Sequence, residues 1–268
     1  MPTYTVDVSV AWSLCVLDAH GDVIDEFNAD AVHPTASIGK IFLLCEAAER
    51  IADGRLDARE SVLRDPRLAV GDSGLWQHLA QESLPLADVC LLVGALSDNW
   101  ATNALLDIVG LDAVASRAHA LGCQASGLHD RVRDVRTGAD PATLSSGTAR
   151  ELAEVARRIH VSAGASGVDG ISAQAAILVE AWLLAGVDLS MVAAPFHLDP
   201  LAHADGAPRL WSKTGSDFGV RADVGVIGSG GDAIAYAAIA TWDPREDHVG
   251  EALERMHALG SRLAVRTW

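Results

Sequence analysis

The two ends of the chain alternate apolar and polar positions, whereas its middle repeats apolar residues at helical spacing. Near the start, this alternation predicts strands over Thr3–Leu17 and Val23–Phe27, with a hairpin turn at His20-Gly21-Asp22 between them. Strand character returns late in the chain, in segments joined by glycine-rich turns. These later strands are predicted over Arg209–Thr214, Ala222–Ile227 and Ala233–Trp242.

Between the two sets of strands, apolar residues recur three and four positions apart, which is typical of helices. The predicted helices are Ser37–Ala52, Leu86–Leu96, Asn99–Val109, Leu111–Leu121, Gly147–His160 and Ala173–Ala185, with a last one over Glu246–Val265. The polar stretch Ser126–Ser146 has no period and is predicted to be a long loop. This order favours an α/β chain of the α+β type, in which helices flank one five-stranded antiparallel sheet and an all-helical lobe is inserted into it.

The length of 268 residues suits one domain. We expect a single unit over 1–268, with a sheet lobe from 1–36 and 203–268 and a helical lobe from 37–202. The net charge of −16 disfavours nucleic acid as a partner. The longest apolar stretch, Ala175–Val187, contains Glu180 and is too short to span a membrane.

The start of the chain lacks the basic and apolar segments of a secretory signal, because its first basic residue is Lys40. We therefore expect a cytoplasmic protein, or an exported one if a signal was trimmed from this chain.

The cysteines are spread along the chain without the spacing of zinc ligands. Cys15, Cys45, Cys90 and Cys123 are expected to be buried free thiols. Cys45 and Cys90, on two predicted helices, are the one pair for which we consider a disulfide. No metal or cofactor is implied.

Lysine is rare in this chain, since positions 40 and 213 hold the only two lysines among 20 basic residues. A buried amine, unlike a guanidinium, can lose its proton and act as a base. Lys40 follows Ser37 in an S-x-x-K pattern at the start of a predicted helix, which puts the hydroxyl and the amine on one face. A base beside a hydroxyl makes it a nucleophile.

Two further motifs follow. Ser97-Asp98-Asn99 lies between two predicted helices, 60 residues after Ser37, and is equally good material for a helix N-cap. Lys213-Thr214-Gly215-Ser216 lies on a predicted strand, where glycine lets a ligand approach closely. Each motif is weak by itself, but S-x-x-K, S-D-N and K-T-G in this order use both lysines and form a strong signal.

On these motifs, and on the segment NWATNALLD after the second one, the chain resembles the penicillin-recognising serine hydrolases, particularly class A β-lactamases. The resemblance covers nearly the whole chain. It implies that Ser37 is acylated by a small-molecule β-lactam or acyl-D-alanyl amide. Lys40 would be its base or proton relay, and Ser97 would pass the proton to the leaving nitrogen.

The resemblance also implies the binding groups. Asn99 would hold the amide of the acyl side chain, while Lys213 and Thr214 would hold the substrate carboxylate beside Gly215. The backbone N–H groups of Ser37 and Ser216 would form the oxyanion hole.

The chain departs from the family in the long loop, where a glutamate positions the water that releases the acyl group. Ser126–Ser146 contains no glutamate. Aligning Asp130-Arg131 with the family's Asp-Arg pair puts Arg133 at that place, and Asp134 is the only nearby carboxylate that we consider as a substitute base. Arg221 lies about one residue from the position at which class A enzymes often carry a carboxylate-binding arginine.

The leading interpretation is therefore a serine hydrolase of the class A β-lactamase type. The missing glutamate favours an alternative, a D-alanyl-D-alanine carboxypeptidase or penicillin-binding relative with slow deacylation. A non-catalytic binding protein that keeps the cleft is the third possibility, against which both retained lysines argue. The sequence does not indicate an oligomeric state.

Overall fold

The computed structural model describes residues 9–164, 170–203 and 208–267. The strands are β1 (Val10–Asp18), β2 (Val23–Phe27), β3 (His33–Pro34), β4 (Ser61–Leu63), β5 (Ser83–Pro85), β6 (Gly127–Leu128), β7 (Ser145–Gly147), β8 (Leu210–Asp217), β9 (Val220–Ile227) and β10 (Ile234–Trp242). The helices are α1 (Lys40–Ala52), α2 (Leu86–Leu96), α3 (Asn99–Val109), α4 (Leu111–Ala120), α5 (Ala149–Gly164), α6 (Ala173–Leu184) and α7 (Val249–Thr267).

The first strands and the last strands form one five-stranded antiparallel sheet in the order β2-β1-β10-β9-β8. Strand β1 pairs with β10 along its whole length, from Val10 opposite Trp242 to Asp18 opposite Ile234. This pairing joins the two ends of the chain, so the helices between them form an insertion, as predicted. The insertion also contains the short strands β3 to β7. Residues 3–8, which the sequence places in the first strand, lie outside the described residues.

Both faces of the sheet are buried, because the side chains of a strand alternate between its two sides. On β1, Cys15 and Leu17 face the core shared with the inserted helices, whereas Trp12, Leu14 and Val16 face a second core. Helix α7 covers that second face with Ala252, Met256, Leu259 and Leu263. The sheet is therefore a fixed wall between two apolar layers.

Helix α1 is the centre of the inserted segment. Its first nine residues, Lys40 to Ala48, are all buried. This part of the helix is therefore enclosed on every side and does not expose one face to solvent as an amphipathic helix does. The chain enters α1 through a single 3-10 turn over Ala36–Gly39, whereas the sequence predicts a helix from Ser37. This turn places Ser37 at the N-terminal end of a rigid, buried helix.

The other differences from the sequence prediction lie at the ends of elements and in short strands. Gly147, predicted to start a helix, belongs to β7, and α5 begins at Ala149. The loop predicted over Ser126–Ser146 is irregular except at its ends, where β6 pairs with β7. The antiparallel pair of β4 and β5 was not predicted, because strands of three residues are too short to show a period.

The cysteines are all buried and free, so the disulfide considered between Cys45 and Cys90 does not form. Burial raises the pKa of both thiols to about 12, which keeps them protonated and inert at neutral pH. In the described ranges, no helix is long and apolar enough to cross a membrane. The division into a sheet lobe and a helical lobe stays a prediction.

Two glycines of α7 allow a matched test of how closely this helix packs against the segment around Val192 and Pro195. A Cβ at Gly260 would lie 2.1 Å from the backbone oxygen of Val192, whereas a Cβ at Gly250 would meet nothing within 4 Å. We expect Gly260→Ala to lower the free energy of unfolding by about 1–3 kcal/mol, because the helix must move away from that carbonyl. Gly250→Ala is expected to raise it by about 0.5–1 kcal/mol through helix propensity.

Urea denaturation of the two variants beside the parent protein measures this difference. Equal effects of the two substitutions would contradict the close packing of α7.

Candidate active site

A cleft of about 820 Å³ opens between the edge strand β8, the turn before α1 and the loops around α2 and α3. Eight of the ten site residues predicted from the sequence line it: Ser37, Ser97, Asn99, Asp134, Lys213, Thr214, Ser216 and Arg221. The other two, Lys40 and Gly215, lie directly behind its wall, where they contact residues that line it. Three motifs that are far apart in the chain thus meet at one cleft.

The turn that carries Ser37 is held in an unusual conformation. Ala36 has a φ of 49°, in the left-handed region that residues with a Cβ rarely adopt. The buried Ser145 hydroxyl compensates for this, because it donates to the Ala36 oxygen at 2.5 Å and accepts from the Gly39 N–H at 3.3 Å. Its oxygen also lies 2.7 Å from the Thr35 hydroxyl. Ser145, which the sequence analysis did not identify, therefore shapes the turn.

Strand β8 lies directly against this turn. A Cβ at Gly215 would lie 2.4 Å from the Thr35 oxygen and 3.1 Å from the Ser37 nitrogen, which leaves no room for a side chain. Only glycine allows the strand to approach so closely. The backbone of Gly215-Ser216 is in this way brought beside the backbone N–H of Ser37.

Lys40 is fully buried, and its amine donates to three acceptors on the second motif. Nζ lies 2.7 Å from the Ser97 carbonyl oxygen, 3.1 Å from Ser97 Oγ and 2.8 Å from Asn99 Oδ1. An ammonium has three N–H donors, so these acceptors satisfy all of them. Burial lowers the pKa of Lys40 well below the usual 10.5, and the charge of Lys213 lowers it further. The hydrogen bond that the i, i+3 spacing predicts between Ser37 and Lys40 is not among these contacts.

In the second motif, Asp98 has a structural role, whereas Ser97 and Asn99 contact Lys40. Asp98 is the N-cap of α3, since Oδ1 accepts from Ala101 N, and its other oxygen accepts from the N–H groups of Leu75 and Trp76. The capping interpretation is therefore confirmed for Asp98. Ser97 ends α2 with a φ of 55° and, with Asn99, faces Lys40.

The loop across the cleft is held by charge pairs on one buried carboxylate. Asp130 accepts from the guanidinium groups of Arg133 and Arg136, and Arg133 also pairs with Asp140. Arg133, which the sequence analysis aligns with the family's glutamate, is therefore held by ion pairs within the loop. Asp134 lines the cleft, and its Oδ1 accepts from Gly71 N at 2.8 Å.

Asn103 of α3 also stabilises this loop, through hydrogen bonds between its side-chain amide and the backbone. Its Oδ1 accepts from Val132 N at 2.9 Å, and its Nδ2 donates to Val132 O at 3.0 Å and Leu68 O at 3.3 Å. The sequence analysis quoted this residue within NWATNALLD but assigned it no role.

The third motif lies on β8. Lys213 is buried and donates to the Thr214 carbonyl at 2.7 Å, and burial lowers the pKa of its amine to about 8. The Thr214 hydroxyl donates to Asp188 Oδ2 at 2.7 Å. Asp188 was missed because nothing in its neighbourhood along the chain marks it as a cleft residue. Arg221 lies opposite Ser216 in the sheet, and its guanidinium donates to the Asp217 and Val220 carbonyls.

Comparison with known proteins agrees with this geometry. The model of the β-lactamase enzyme family matches residues 7–264. The chain belongs to the β-lactamase enzyme family. The prediction of a serine hydrolase of the β-lactamase type is therefore confirmed at the level of the family. A search of curated proteins gave no significant match.

Solved structures share the fold of this β-lactamase family member. A β-lactamase from Sphaerobacter thermophilus DSM 20745 is 23% identical, with 96% of this chain and 91% of that chain covered and a TM-score of 0.80. An ancestral class A β-lactamase (GNCA) is 21% identical, with 97% and 95% covered and a TM-score of 0.79. PBP-A is 18% identical, with 97% and 90% covered and a TM-score of 0.77. The predicted β-lactamase/DD-peptidase-like fold is confirmed.

Neighbouring serines of β7 test how the turn before α1 is held. Ser145 is fully buried on that turn, whereas the Ser146 hydroxyl forms an exposed contact, 2.8 Å from His129 Nε2. Ser145→Ala leaves the Ala36 oxygen and the Gly39 N–H without this partner, so we expect it to lower the free energy of unfolding by about 1–3 kcal/mol. Ser146→Ala should stay within about 0.5 kcal/mol of the parent. Urea denaturation measures both, and a Ser145→Ala protein as stable as Ser146→Ala would refute this role.

Proposed function

We propose that this β-lactamase family member forms an acyl-enzyme at Ser37 and hydrolyses it, with a β-lactam or an acyl-D-alanyl amide as substrate. The observation that carries the proposal is the buried Lys40 amine, hydrogen-bonded to Ser97 and Asn99 behind a cleft that Ser37 also lines. A lowered pKa brings an amine closer to the range in which it can act as a general base near neutral pH.

These positions support the following route for acylation. The Ser37 oxygen attacks the substrate carbonyl and forms the acyl C–O bond, while its proton passes to Lys40 in its deprotonated form, which the lowered pKa of the buried amine makes easier to reach. Lys40 is hydrogen-bonded to Ser97 Oγ, so the proton can move through that hydroxyl to the leaving nitrogen as the C–N bond breaks. The N–H groups of Ser37 and Ser216 would stabilise the oxyanion, a contribution of about 3 kcal/mol for each donor.

Deacylation needs a water molecule activated by a base. Arg133, at the place of the glutamate, is paired with Asp130 and Asp140 and stays protonated, so it cannot take a proton. Asp134 is the carboxylate of this loop that lines the cleft, and we propose it as a weak substitute. Loss of a well-placed general base costs about 10²–10⁴-fold in rate, so we expect the acyl-enzyme to be long-lived.

A long-lived acyl-enzyme is the behaviour of the second candidate, a D-alanyl-D-alanine carboxypeptidase or penicillin-binding relative. The ion pairs of Arg133 with Asp130 and Asp140 favour this candidate, because they leave no general base at that position. One similar structure is a mutant of PBP-A as an acyl-enzyme complex with penicillin G, 17% identical to this chain.

The cytoplasmic location expected from the sequence stays a prediction.

Intact mass spectrometry with benzylpenicillin tests the function. We expect the protein to gain the mass of one penicillin, with the adduct on the peptide that contains Ser37, and we expect Ser37→Ala to gain none. Lactam absorbance followed in the same samples separates the candidates, because fast loss of lactam without a lasting adduct means efficient turnover. Absence of any adduct and of lactam loss would contradict the proposal.

The role of Asp134 has its own test in the decay of that adduct. Asp134→Asn should slow the decay about tenfold or more and leave its formation unchanged, because only the second step uses this base. Asp217→Asn removes the same charge from another side of the cleft and serves as the control. If both variants release the acyl group at the parent rate, Asp134 is not the base.

A further inference from the structure

A fully buried carboxylate lies beside β8, among residues of the second core. Asp223 of β9 accepts from the Val192 N–H through Oδ2 at 2.9 Å and from the Tyr236 hydroxyl through Oδ1 at 3.2 Å. Burial raises the pKa of Asp223 to about 7, although both hydrogen bonds oppose this effect. The carboxylate is therefore mostly ionised at pH 8 and mostly protonated at pH 6.

The sheet makes room for the contact between Tyr236 and Asp223 at Gly225. Gly225 pairs with Tyr236 across β9 and β10. A Cβ at Gly225 would lie 2.9 Å from the Tyr236 hydroxyl oxygen and 2.8 Å from Ser212 Cβ, which leaves no space for a side chain. The tyrosine hydroxyl reaches Asp223 across β9 because a glycine stands at this position.

Asp223 is connected to the cleft through β8 and through the segment that follows α6. In the sheet it lies opposite Thr214, the neighbour of Lys213. It holds Val192 at one end of a short segment, and Asp188 at the other end accepts from the Thr214 hydroxyl at 2.7 Å. Burial lowers the pKa of Lys213 to about 8, and the charges of Asp188 and Asp223 oppose this effect. The two carboxylates therefore favour the charged form of Lys213.

The other elements around Asp223 contribute no competing charge at neutral pH. Burial raises the pKa of Tyr236 well above its usual value, so its hydroxyl stays protonated. Arg221, two residues earlier on β9, lines the cleft and donates to two backbone carbonyls at the turn between β8 and β9. Helix α7 contributes apolar side chains to this core, from Ala252, Met256, Leu259 and Leu263.

We propose that Asp223 is a positioning residue for the cleft: its buried carboxylate holds the segment from Asp188 to Val192 behind β8 and keeps Lys213 charged for the carboxylate of the substrate. This inference rests on the proposed function, because it concerns how the same cleft binds its substrate. Asp223 acts through Lys213 and does not line the cleft. The charge of Lys213 also lowers the pKa of Lys40, so the carboxylate supports the base as well.

Side-chain NMR of a protein labelled with carbon-13 in lysine measures the charge on Lys213 without any substrate, and Lys213→Arg identifies its signal. Asp223→Asn keeps an acceptor for the Val192 N–H and removes the charge, so we expect Lys213 to titrate about one pH unit lower. A merely structural role predicts the opposite direction. A loosened site would admit water, which raises the pKa of a buried amine toward its usual value.

Two further variants accompany this test. Tyr236→Phe removes a donor that stabilises the Asp223 anion, so it should shift the Lys213 titration in the same direction by a smaller amount. Asp217→Asn is the matched control, because it neutralises an exposed carboxylate at the end of the same strand. Water and salt screen that charge, so Lys213 should titrate within about 0.3 pH units of the parent protein.

The pH dependence of acylation connects the charge on Lys213 to substrate binding. The measurement is the benzylpenicillin concentration that gives half the maximal rate of adduct formation. At pH 8 we expect Asp223→Asn to raise it about fivefold, because a Lys213 that titrates one unit lower is charged in about a tenth of the molecules instead of about half. At pH 6, where Asp223 is protonated in the parent protein as well, the two proteins should agree within about twofold.

The inference is overturned if Lys213 titrates in Asp223→Asn at the parent value or above it, or if Asp217→Asn shifts it equally. An equal loss of binding at pH 6 and at pH 8 also overturns it. If Asp223→Asn does not fold, an unchanged titration in Tyr236→Phe decides against the inference. Failure of the proposed function looks different, because the parent protein would then form no adduct while the titration of Lys213 still responded to Asp223.

Discussion

The burial of one amine constrains the whole site. A charged or polar nitrogen taken out of water is costly unless its hydrogen bonds are replaced. The chain places Lys40 at the start of a helix that is enclosed on all sides, and it supplies three acceptors from the Ser97–Asn99 segment. The first and second motifs are thus a single unit, because neither can move without leaving the amine unsatisfied.

The third motif joins this unit through the sheet. Strand β8 is an edge strand of a sheet that is buried on both faces, and Gly215 lets its backbone lie against the turn of Ser37. Packing on the outer face, where α7 closes over the sheet, therefore contributes to the position of Lys213 and Thr214 in the cleft. The same low polarity that fixes the site lowers the pKa of both lysines.

The sheet, the main helices and the three motifs could be predicted because their signals are local: a period of two or of three to four residues, and short patterns that use the only two lysines. The 3-10 turn at Ala36–Gly39 could not, since it depends on Ser145, more than a hundred positions away along the chain. Asp188 is similar, because only the fold brings it to Thr214. Sequence patterns indicated which groups carry the chemistry. Tertiary contacts determine how those groups are positioned and which hydrogen-bond partners they have within the protein.

The protonation of Lys40 is the most direct test of this account. Because the chain has only two lysines, a protein labelled with isotopes in lysine alone should give two side-chain signals by NMR, and Lys213→Arg assigns them. We expect the Lys40 signal to titrate well below the usual 10.5, as burial behind the cleft requires. A Lys40 side chain that titrates at or above that value would contradict its role as the base.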